Sequence, residues 1–355
     1  MVIEAADMNC RICGAPSARI AGEVEYYADY EWKVCDCSVC RCRFTKHDNS
    51  VYEMLHTSGV ASYYNDYRTL AADCKRLFDQ RDLAGLKHLL SQVSKYRFVL
   101  DELEREPIAG RLLEIGCSRG YLTSYFILAG RHILGVDVSE AALEGAREAF
   151  GEHFALAGSS AVDAGAPYDV IYHVGMIGCV ADPVGLTRKL LAMLKPGGRL
   201  LFNAPNLRGC YLRGQLWFDS APPPDVVTLF PAGFWKRQLA DLANVDEHEQ
   251  MCPANEGLAI GLRKMFGRRW AKPKARSLAR SHNRSISTPE TSGRIWRSFE
   301  RAVLKAGRLT GFSRLAPRQP SEFGLYVAMT KKGNGASDSV TASVAPGVVA
   351  CLNSQ

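Results

Sequence analysis

Short apolar runs alternate with longer stretches of mixed polarity along residues 108–250. The runs have the length of strands and the longer stretches have the length of helices. The predicted strands are 111–115, 132–136, 153–157, 168–174 and 199–203, and the predicted helices are 121–129, 140–150 and 183–195. Strands that alternate with helices form a parallel sheet covered on both faces. The predicted fold class is therefore α/β, with a Rossmann-like, doubly wound and mostly parallel sheet.

Residues at the helix ends support these bounds. Ser139 can cap the helix that follows it, because its hydroxyl can accept a hydrogen bond from a free amide. Asp182 followed by Pro183 is typical of a helix start, and the glycines of KPGG at 195–198 are typical of a helix end.

The chain divides into five predicted parts. Residues 1–50 form a cysteine-rich module, 51–107 a helical connector and 108–250 the alternating core. Residues 251–332 form a basic helical segment with a closing strand, and 333–355 form a tail. The tail is rich in small residues and has no amphipathic period, so we expect it to be disordered.

The charge of the chain is concentrated in one segment. The formal net charge is +7, but residues 262–318 alone carry 16 Lys and Arg against Glu290 and Glu300. Such a segment is either a solvated helical surface or a docking face for an anionic acceptor or partner. No run of about 18 apolar residues is present and the amino terminus does not read as a secretory signal, so we expect a soluble, cytoplasmic protein.

Six of the twelve cysteines lie in the first 42 residues. Cys10 and Cys13 form one CxxC pair, and Cys37 and Cys40 form a second. Four thiolates from two such pairs make a closed tetrahedral site, which predicts structural Zn²⁺. Cys35 and Cys42 flank the second pair, and either could replace one of the four ligands.

A glycine turn follows the first predicted strand, in the order Glu114, Gly116, Cys117, Ser118, Arg119, Gly120. At the carboxyl end of such a strand, a glycine turn lets the backbone approach a ligand, and amides of the next helix face an anion. Asp137 lies 21 residues beyond Gly116, where a carboxylate can accept both hydroxyls of a ribose. NAD and S-adenosylmethionine share this geometry. Ser118 stands where the third position of GxGxxG would be, which favours S-adenosylmethionine.

Residues 108–250 resemble a class I S-adenosylmethionine-dependent methyltransferase domain. The resemblance is carried by the turn together with YDVIYHVGMIGCVADP (168–183), KPGGRLLFNAPN (195–206) and FGLYVAMTKK (323–332). In that family the stretch that corresponds to the last of these is an antiparallel strand that closes the sheet.

This resemblance implies a set of cofactor contacts. Around the methionine part it places Glu114, Gly116, Cys117 and Gly120. Asp137 and Val138 would contact the ribose and the adenine edge, and His173 and Val174 would flank the adenine or the methyl group.

The cysteine module resembles the zinc ribbon that precedes a subset of these enzymes. The subset includes sugar methyltransferases of deoxysugar and glycan pathways and natural-product methyltransferases. A helical connector leads from the ribbon to the cofactor domain in those proteins, as predicted here.

The general base is the feature in which the chain departs from the family. The loop after the fourth strand often reads EHVxDP, but Gly178 and Cys179 replace the Glu and His here. Asp225 lies near the position of a second family histidine and could serve as a weaker base. His173 and Tyr211 are the other candidates.

The leading hypothesis is an S-adenosylmethionine-dependent methyltransferase of a small molecule or sugar. The basic segment suggests a phosphate-bearing acceptor, such as a nucleotide sugar or a glycan precursor. An RNA methyltransferase that uses the zinc ribbon and the basic segment is one alternative. A noncatalytic cofactor-binding protein is another, because the Glu and His are missing.

Overall fold

The computed structural model describes residues 9–26, 30–45, 68–105, 109–212, 214–218, 221, 223, 225–253 and 318–333. Residues 254–317 of the predicted basic helical segment lie outside the described residues, and the predicted tail does so from residue 334. Residues 51–67 of the predicted connector also lie outside them.

The described strands and helices follow the predicted alternation. The strands are β1 (Ala18–Tyr26), β2 (Tyr30–Cys37), β3 (Arg43–Thr45), β4 (Arg111–Ile115), β5 (His132–Asp137), β6 (Phe154–Leu156), β7 (Tyr168–His173), β8 (Leu194–Ala204), β9 (Thr228–Leu229), β10 (Ala243–Pro253) and β11 (Arg318–Lys331). The helices are α1 (Arg68–Asp79), α2 (Leu83–Leu90), α3 (Ser94–Arg105), α4 (Tyr121–Leu128), α5 (Glu140–Phe150), α6 (Ser160–Ala164), α7 (Pro183–Ala192), α8 (Leu207–Leu212) and α9 (Phe234–Leu239).

Seven strands form the main sheet, in the order β10-β11-β8-β7-β4-β5-β6. The pairs β4–β5, β4–β7, β5–β6 and β7–β8 are parallel. Strand β11 is antiparallel to both of its neighbours, β8 and β10. The predicted fold class is therefore confirmed, including the antiparallel last strand.

Successive residues of the central strands belong to two different core layers. Leu113 and Ile171 pack in one apolar cluster, whereas Leu112 and Val170 pack in another. Because side chains alternate across a strand, this division shows that both faces of the sheet are covered.

Polar residues begin two of the covering helices, as the sequence predicts. The Ser139 hydroxyl accepts from the amide of Ala142 at the start of α5, and Asp182 Oδ1 accepts from the amide of Gly185 at the start of α7. The end of α7 differs from the prediction, because the helix stops at Ala192 and β8 begins at Leu194. KPGG lies within β8 as an irregularity, where Gly197 has φ of 75°.

The connector helices pack on the sheet layer that contains Leu112. Phe78 of α1 meets Phe150 of α5 with ring centroids 5.0 Å apart. The buried Arg199 of β8 forms an ion pair with Glu102 of α3 and donates to its carbonyl oxygen at 3.1 Å. These contacts fix α3 over the sheet. Among the described residues, the structure contains no helix that is long and apolar enough to cross a bilayer.

A second sheet joins the cysteine module to the core. Its order is β1-β2-β3-β9, so three strands come from the amino-terminal module and one comes from the segment after β8. Phe44 pairs with Thr228, and Arg43 pairs with Leu229. Because β9 completes the small sheet, the module is held against the core by backbone hydrogen bonds.

Candidate functional site

The turn between β4 and α4 requires glycine at its two ends. Gly116 has φ of 72° and Gly120 has φ of 74°, a backbone conformation that residues other than glycine rarely adopt. A Cβ on Gly120 would also lie 2.5 Å from Cζ of Phe154. The amides of Gly116 and Cys117 donate to the carbonyl of Val136, at 2.8 and 3.0 Å. These two hydrogen bonds therefore hold the turn against β5.

Asp137, at the end of β5, also binds this turn through its carboxylate. Its Oδ2 accepts from the amide of Ser118 at 2.7 Å, and its Oδ1 accepts from the amide of Ser139 at 3.0 Å. Burial raises the pKa of Asp137, while the backbone hydrogen bonds act in the opposite direction. The structure thus brings the turn and the acidic residue together. The role of Asp137 in cofactor binding stays a prediction.

Glu114 lies beneath the turn and is 2% exposed. Its Oε2 accepts hydrogen bonds from the hydroxyl of Thr123 and, at 3.1 Å, from the hydroxyl of Tyr172. Burial raises the pKa of Glu114 to about 7. Cys117 is buried as well, at 3% exposure. The described partners of Glu114 are core residues, and the contact with the methionine part that the resemblance implies stays a prediction.

The end of β7 forms the other side of this region. Val174 is buried, whereas Val138, after β5, is 40% exposed. Gly175 donates its amide to Oδ1 of Asn203 at 2.8 Å. Lys95, from α3, places its Nζ 2.9 Å from the position that a Cβ on Gly175 would take. A cation from the connector therefore reaches the carboxyl end of the sheet.

His173 occupies a core position. It is 0% exposed, and its ring stacks on Phe202 with centroids 4.7 Å apart. Neither ring nitrogen has a hydrogen-bond partner among the described residues. Burial lowers the pKa of His173 to about 3. The structure therefore argues against the hypothesis that His173 is the base, because a sealed imidazole has no access to an acceptor proton.

Asp225 meets the loop in which the Glu and His of the resembling family would stand. The thiol of Cys179 donates to the backbone oxygen of Asp225 at 2.6 Å. The amides of Val227 and Thr228 donate to the carbonyl of Gly178, at 2.8 and 3.1 Å. Burial, with the charge of Asp225, raises the pKa of Cys179 to about 12. Cys179 is therefore a neutral thiol at physiological pH.

Tyr211 lies on the side of the cysteine module. It is 57% exposed at the end of α8, and the guanidinium of Arg43 lies 5.0 Å from its ring centroid. Arg43 is itself paired with Asp36 through two hydrogen bonds of 2.7 Å. The described contacts of Tyr211 thus belong to the junction between the module and the core.

The four paired cysteines form a cluster. The sulfur atoms of Cys10, Cys13, Cys37 and Cys40 all lie within 4.8 Å of one another. The separations are 3.7 Å between Cys10 and Cys40 and 3.7 Å between Cys13 and Cys37. Tetrahedral Zn–S bonds of about 2.3 Å place sulfur atoms about 3.8 Å apart. The donor set therefore fits Zn²⁺, and it consists of the four cysteines that the sequence indicated.

Residues 73–244 match the family model described as "Methyltransferase domain". The chain carries a methyltransferase domain. The strand order of its sheet, with β11 antiparallel beside β8, is the class I arrangement that the resemblance implied.

Two curated relatives align with part of this methyltransferase domain. The "Ubiquinone biosynthesis O-methyltransferase" of Aromatoleum aromaticum is 33% identical over 116 residues, 30% of this chain and 50% of that protein. Its namesake from Marinobacter nauticus is 32% identical over 117 residues, 29% of this chain and 48% of that protein. The chain thus spans about half the length of the curated relatives it matches. A solved "SAM dependent methyltransferase from Archaeoglobus fulgidus" aligns with a TM-score of 0.39 and 16% identity, covering 67% of this chain and 94% of that one.

The sequence analysis assigned no role to two residues near the site. The matched range begins within α1, so the methyltransferase domain includes α3 and its Lys95. Asn203 lies at the end of β8, where its amide donates to the carbonyl of Phe323 at 3.1 Å. A polar residue in an otherwise apolar strand end was the available signal for Asn203. Lys95 had none, because its approach to Gly175 depends on the packing of α3.

Proposed function

We propose that the protein transfers the methyl group of S-adenosylmethionine to an oxygen of a small molecule. The observation that carries this proposal is the position of Asp137, hydrogen-bonded to the glycine turn within a methyltransferase domain. The relatives named O-methyltransferases support oxygen as the acceptor atom.

The residues of the turn fit this cofactor. Because Gly116 and Gly120 have no side chain, the backbone can adopt the positive φ values that shape the turn. The start of α4 would face the amino acid carboxylate of the bound cofactor, and Asp137 could accept the ribose hydroxyls through its remaining lone pairs. Val138 and Val174 supply apolar surface for the adenine. S-adenosylmethionine, when bound, supplies an electrophilic methyl carbon for in-line displacement.

The acceptor side is built by Asp225 and its neighbours. A hydroxyl acceptor must lose its proton, and a carboxylate held beside it can take that proton. Cys179 is excluded as the base, because its raised pKa keeps the thiol protonated. We assign the role to Asp225, which lies beside Cys179. The positive charge of Lys95 acts to lower the pKa of the Cys179 thiol, but the effect of burial is larger.

We further propose that the acceptor bears phosphate and is a sugar derivative. The support is the local positive charge of residues 262–318, in which 16 basic residues accompany Glu290 and Glu300. Lys95 adds a described cation at the carboxyl end of the sheet. The four-cysteine cluster holds structural Zn²⁺ in this proposal, and that metal takes no part in the transfer.

Transfer of a labelled methyl group tests the proposed function. The purified protein is incubated with methyl-labelled S-adenosylmethionine and separate pools of nucleotide sugars, the same sugars after treatment with nucleotide pyrophosphatase and phosphatase, phenolic quinols, and RNA. We expect label in the nucleotide sugars, and less after phosphatase treatment. Label in quinols alone would overturn the phosphate proposal, and label in RNA alone would overturn the small-molecule proposal. Absence of label in every pool, with the cofactor bound, would indicate a noncatalytic protein.

A further inference from the structure

Arg11 stands inside the first cysteine pair, but its side chain contacts other parts of the chain. Its Nε donates to the carbonyl of Thr45 at 3.1 Å. Its Nη1 donates to the carbonyls of Ala181 and Val180, at 2.7 and 3.3 Å. Its Nη2 donates to the carbonyl of Val227 at 2.8 Å and to the hydroxyl of Thr228. Every guanidinium nitrogen therefore has an acceptor.

These acceptors belong to three separate segments that also bind one another. Thr45 ends β3, Ala181 lies in the loop after β7, and Val227 precedes β9. The amide of Thr45 donates to the carbonyl of Val227 at 3.0 Å, and the amide of Val227 donates to the carbonyl of Gly178 at 2.8 Å. The guanidinium thus lies at the point where all three segments meet. A lysine could not replace it, because a single ammonium cannot reach acceptors in so many directions.

The two segments outside the module carry the acceptor-side residues. Cys179 lies two positions before Ala181, and Asp225 lies two positions before Val227. The sulfur of Cys179 donates to the backbone oxygen of Asp225. A displacement of the loop or of β9 would therefore displace both side chains.

The cysteine cluster also fixes the place of Arg11 in the chain. Arg11 stands between Cys10 and Cys13, two of the four cysteines whose sulfur atoms lie within 4.8 Å of one another. A metal bound by these four sulfur atoms would fix the backbone on both sides of Arg11. The metal-loaded cluster would therefore hold Arg11 more firmly than the metal-free form does.

We propose that Arg11 is a positioning residue that couples the metal-binding module to the loop 178–182 and to the segment 225–229. Through these contacts it holds Asp225 where an acceptor would lie. The assignment of an acceptor to this place rests on the proposed function, but the coupling itself does not.

Hydrogen exchange of the full-length, zinc-loaded protein tests the coupling. The variants are Arg11→Met, which removes the charge and the donors, and Arg11→Lys, which keeps the charge. Arg19→Met is the matched control, because Arg19 is an exposed arginine of the same module.

Zinc content and S-adenosylmethionine affinity are measured on each protein. We expect exchange in peptides covering 178–182 and 225–229 to rise about ten-fold or more in Arg11→Met. We expect a smaller rise in Arg11→Lys, none in Arg19→Met, and unchanged cofactor affinity in all three.

Metal removal provides a measurement that needs no variant. A chelator that strips zinc from the wild-type protein should raise exchange in the same two segments and leave the peptides of β4 and β5 unchanged. Unchanged exchange at 178–182 and 225–229, in Arg11→Met or in the metal-free wild type, would overturn the proposal. If Arg11→Met fails to fold, Arg11→Lys and the metal-free protein decide. If the wild-type protein does not bind S-adenosylmethionine, that result would count against the proposed function but not against the coupling.

Discussion

The amide of Ser118 donates to Oδ2 of Asp137 over 2.7 Å, which joins the glycine turn to the end of the neighbouring strand. The second oxygen of Asp137 accepts from Ser139, at the cap of α5. One carboxylate therefore sets the relative position of a turn and a helix start.

The glycine turn should tolerate no side chain at Gly120. A Cβ there would meet Phe154 at 2.5 Å in a backbone conformation with φ of 74°. Gly130 provides the matched control, because its φ is 69° but nothing lies within 4 Å of its Cβ position. We expect Gly120→Ala to lower the free energy of unfolding by about 2–4 kcal/mol and Gly130→Ala by about 1 kcal/mol, measured by urea denaturation. Equal losses would show that the contact with Phe154 relaxes freely.

Glu114 should make stability depend on pH. Its pKa is about 7 in the folded protein, above the ordinary value of 4.5, so the folded state holds the proton more tightly than the unfolded state. This contribution to stability is complete below pH about 4.5 and is lost as the pH rises through about 7. We expect the stability of the wild type relative to Glu114→Gln to fall by up to about 3 kcal/mol between pH 5 and pH 8. A difference that stays constant over this range would show that Glu114 is ionised in the fold.

The cysteine cluster should bind one Zn²⁺ per chain through four specified thiols. Replacing Cys13 by Ser removes a ligand, so we expect the metal content, measured by atomic emission, to fall to background. Cys42 is buried beside the cluster but is not one of the four sulfur atoms that lie within 4.8 Å of one another. Cys42→Ala should therefore retain the metal. Loss of zinc from Cys42→Ala but not from Cys13→Ser would show that Cys42 is a zinc ligand and that Cys13 is not.

Two of the three candidate bases, Asp225 and His173, should respond differently to substitution. Asp225→Asn removes the proposed proton acceptor, and we expect kcat to fall by roughly 100-fold or more on the acceptor found in the labelling assay. His173→Phe should keep the stacking on Phe202 and remove two buried nitrogens, so we expect full activity and a higher free energy of unfolding. A large loss of activity in His173→Phe, with cofactor affinity unchanged, would indicate that His173 takes part in catalysis.

The core elements could be predicted because their signals are local. The apolar runs and the caps at Ser139 and Asp182 lie within a few residues of the elements they define. The spacing from the turn to Asp137 depends only on one helix and one strand. The same reasoning identified the four clustered cysteines, since each pair brings two sulfur atoms together within one short turn.

The remaining features depend on contacts between distant parts of the chain. Strand β9 contains two residues and is defined only by its pairing with β3. Arg11 lies 216 residues before one of its acceptors. The burial of His173, one of the candidate bases, also depends on such a contact, because its ring stacks on Phe202 of the neighbouring strand β8. Alternation along β7 could not indicate this burial, because both faces of the sheet are covered.

A calorimetric titration with S-adenosylmethionine tests the central claim most directly. The wild-type protein, Asp137→Asn and the surface variant Asp241→Asn are titrated, and NAD serves as the comparison ligand. We expect the wild type and Asp241→Asn to bind S-adenosylmethionine, Asp137→Asn to lose most of that affinity, and NAD to give no heat of binding. Binding of NAD in preference to S-adenosylmethionine, or equal affinity in Asp137→Asn, would contradict the assignment of the glycine turn and Asp137 as the cofactor site.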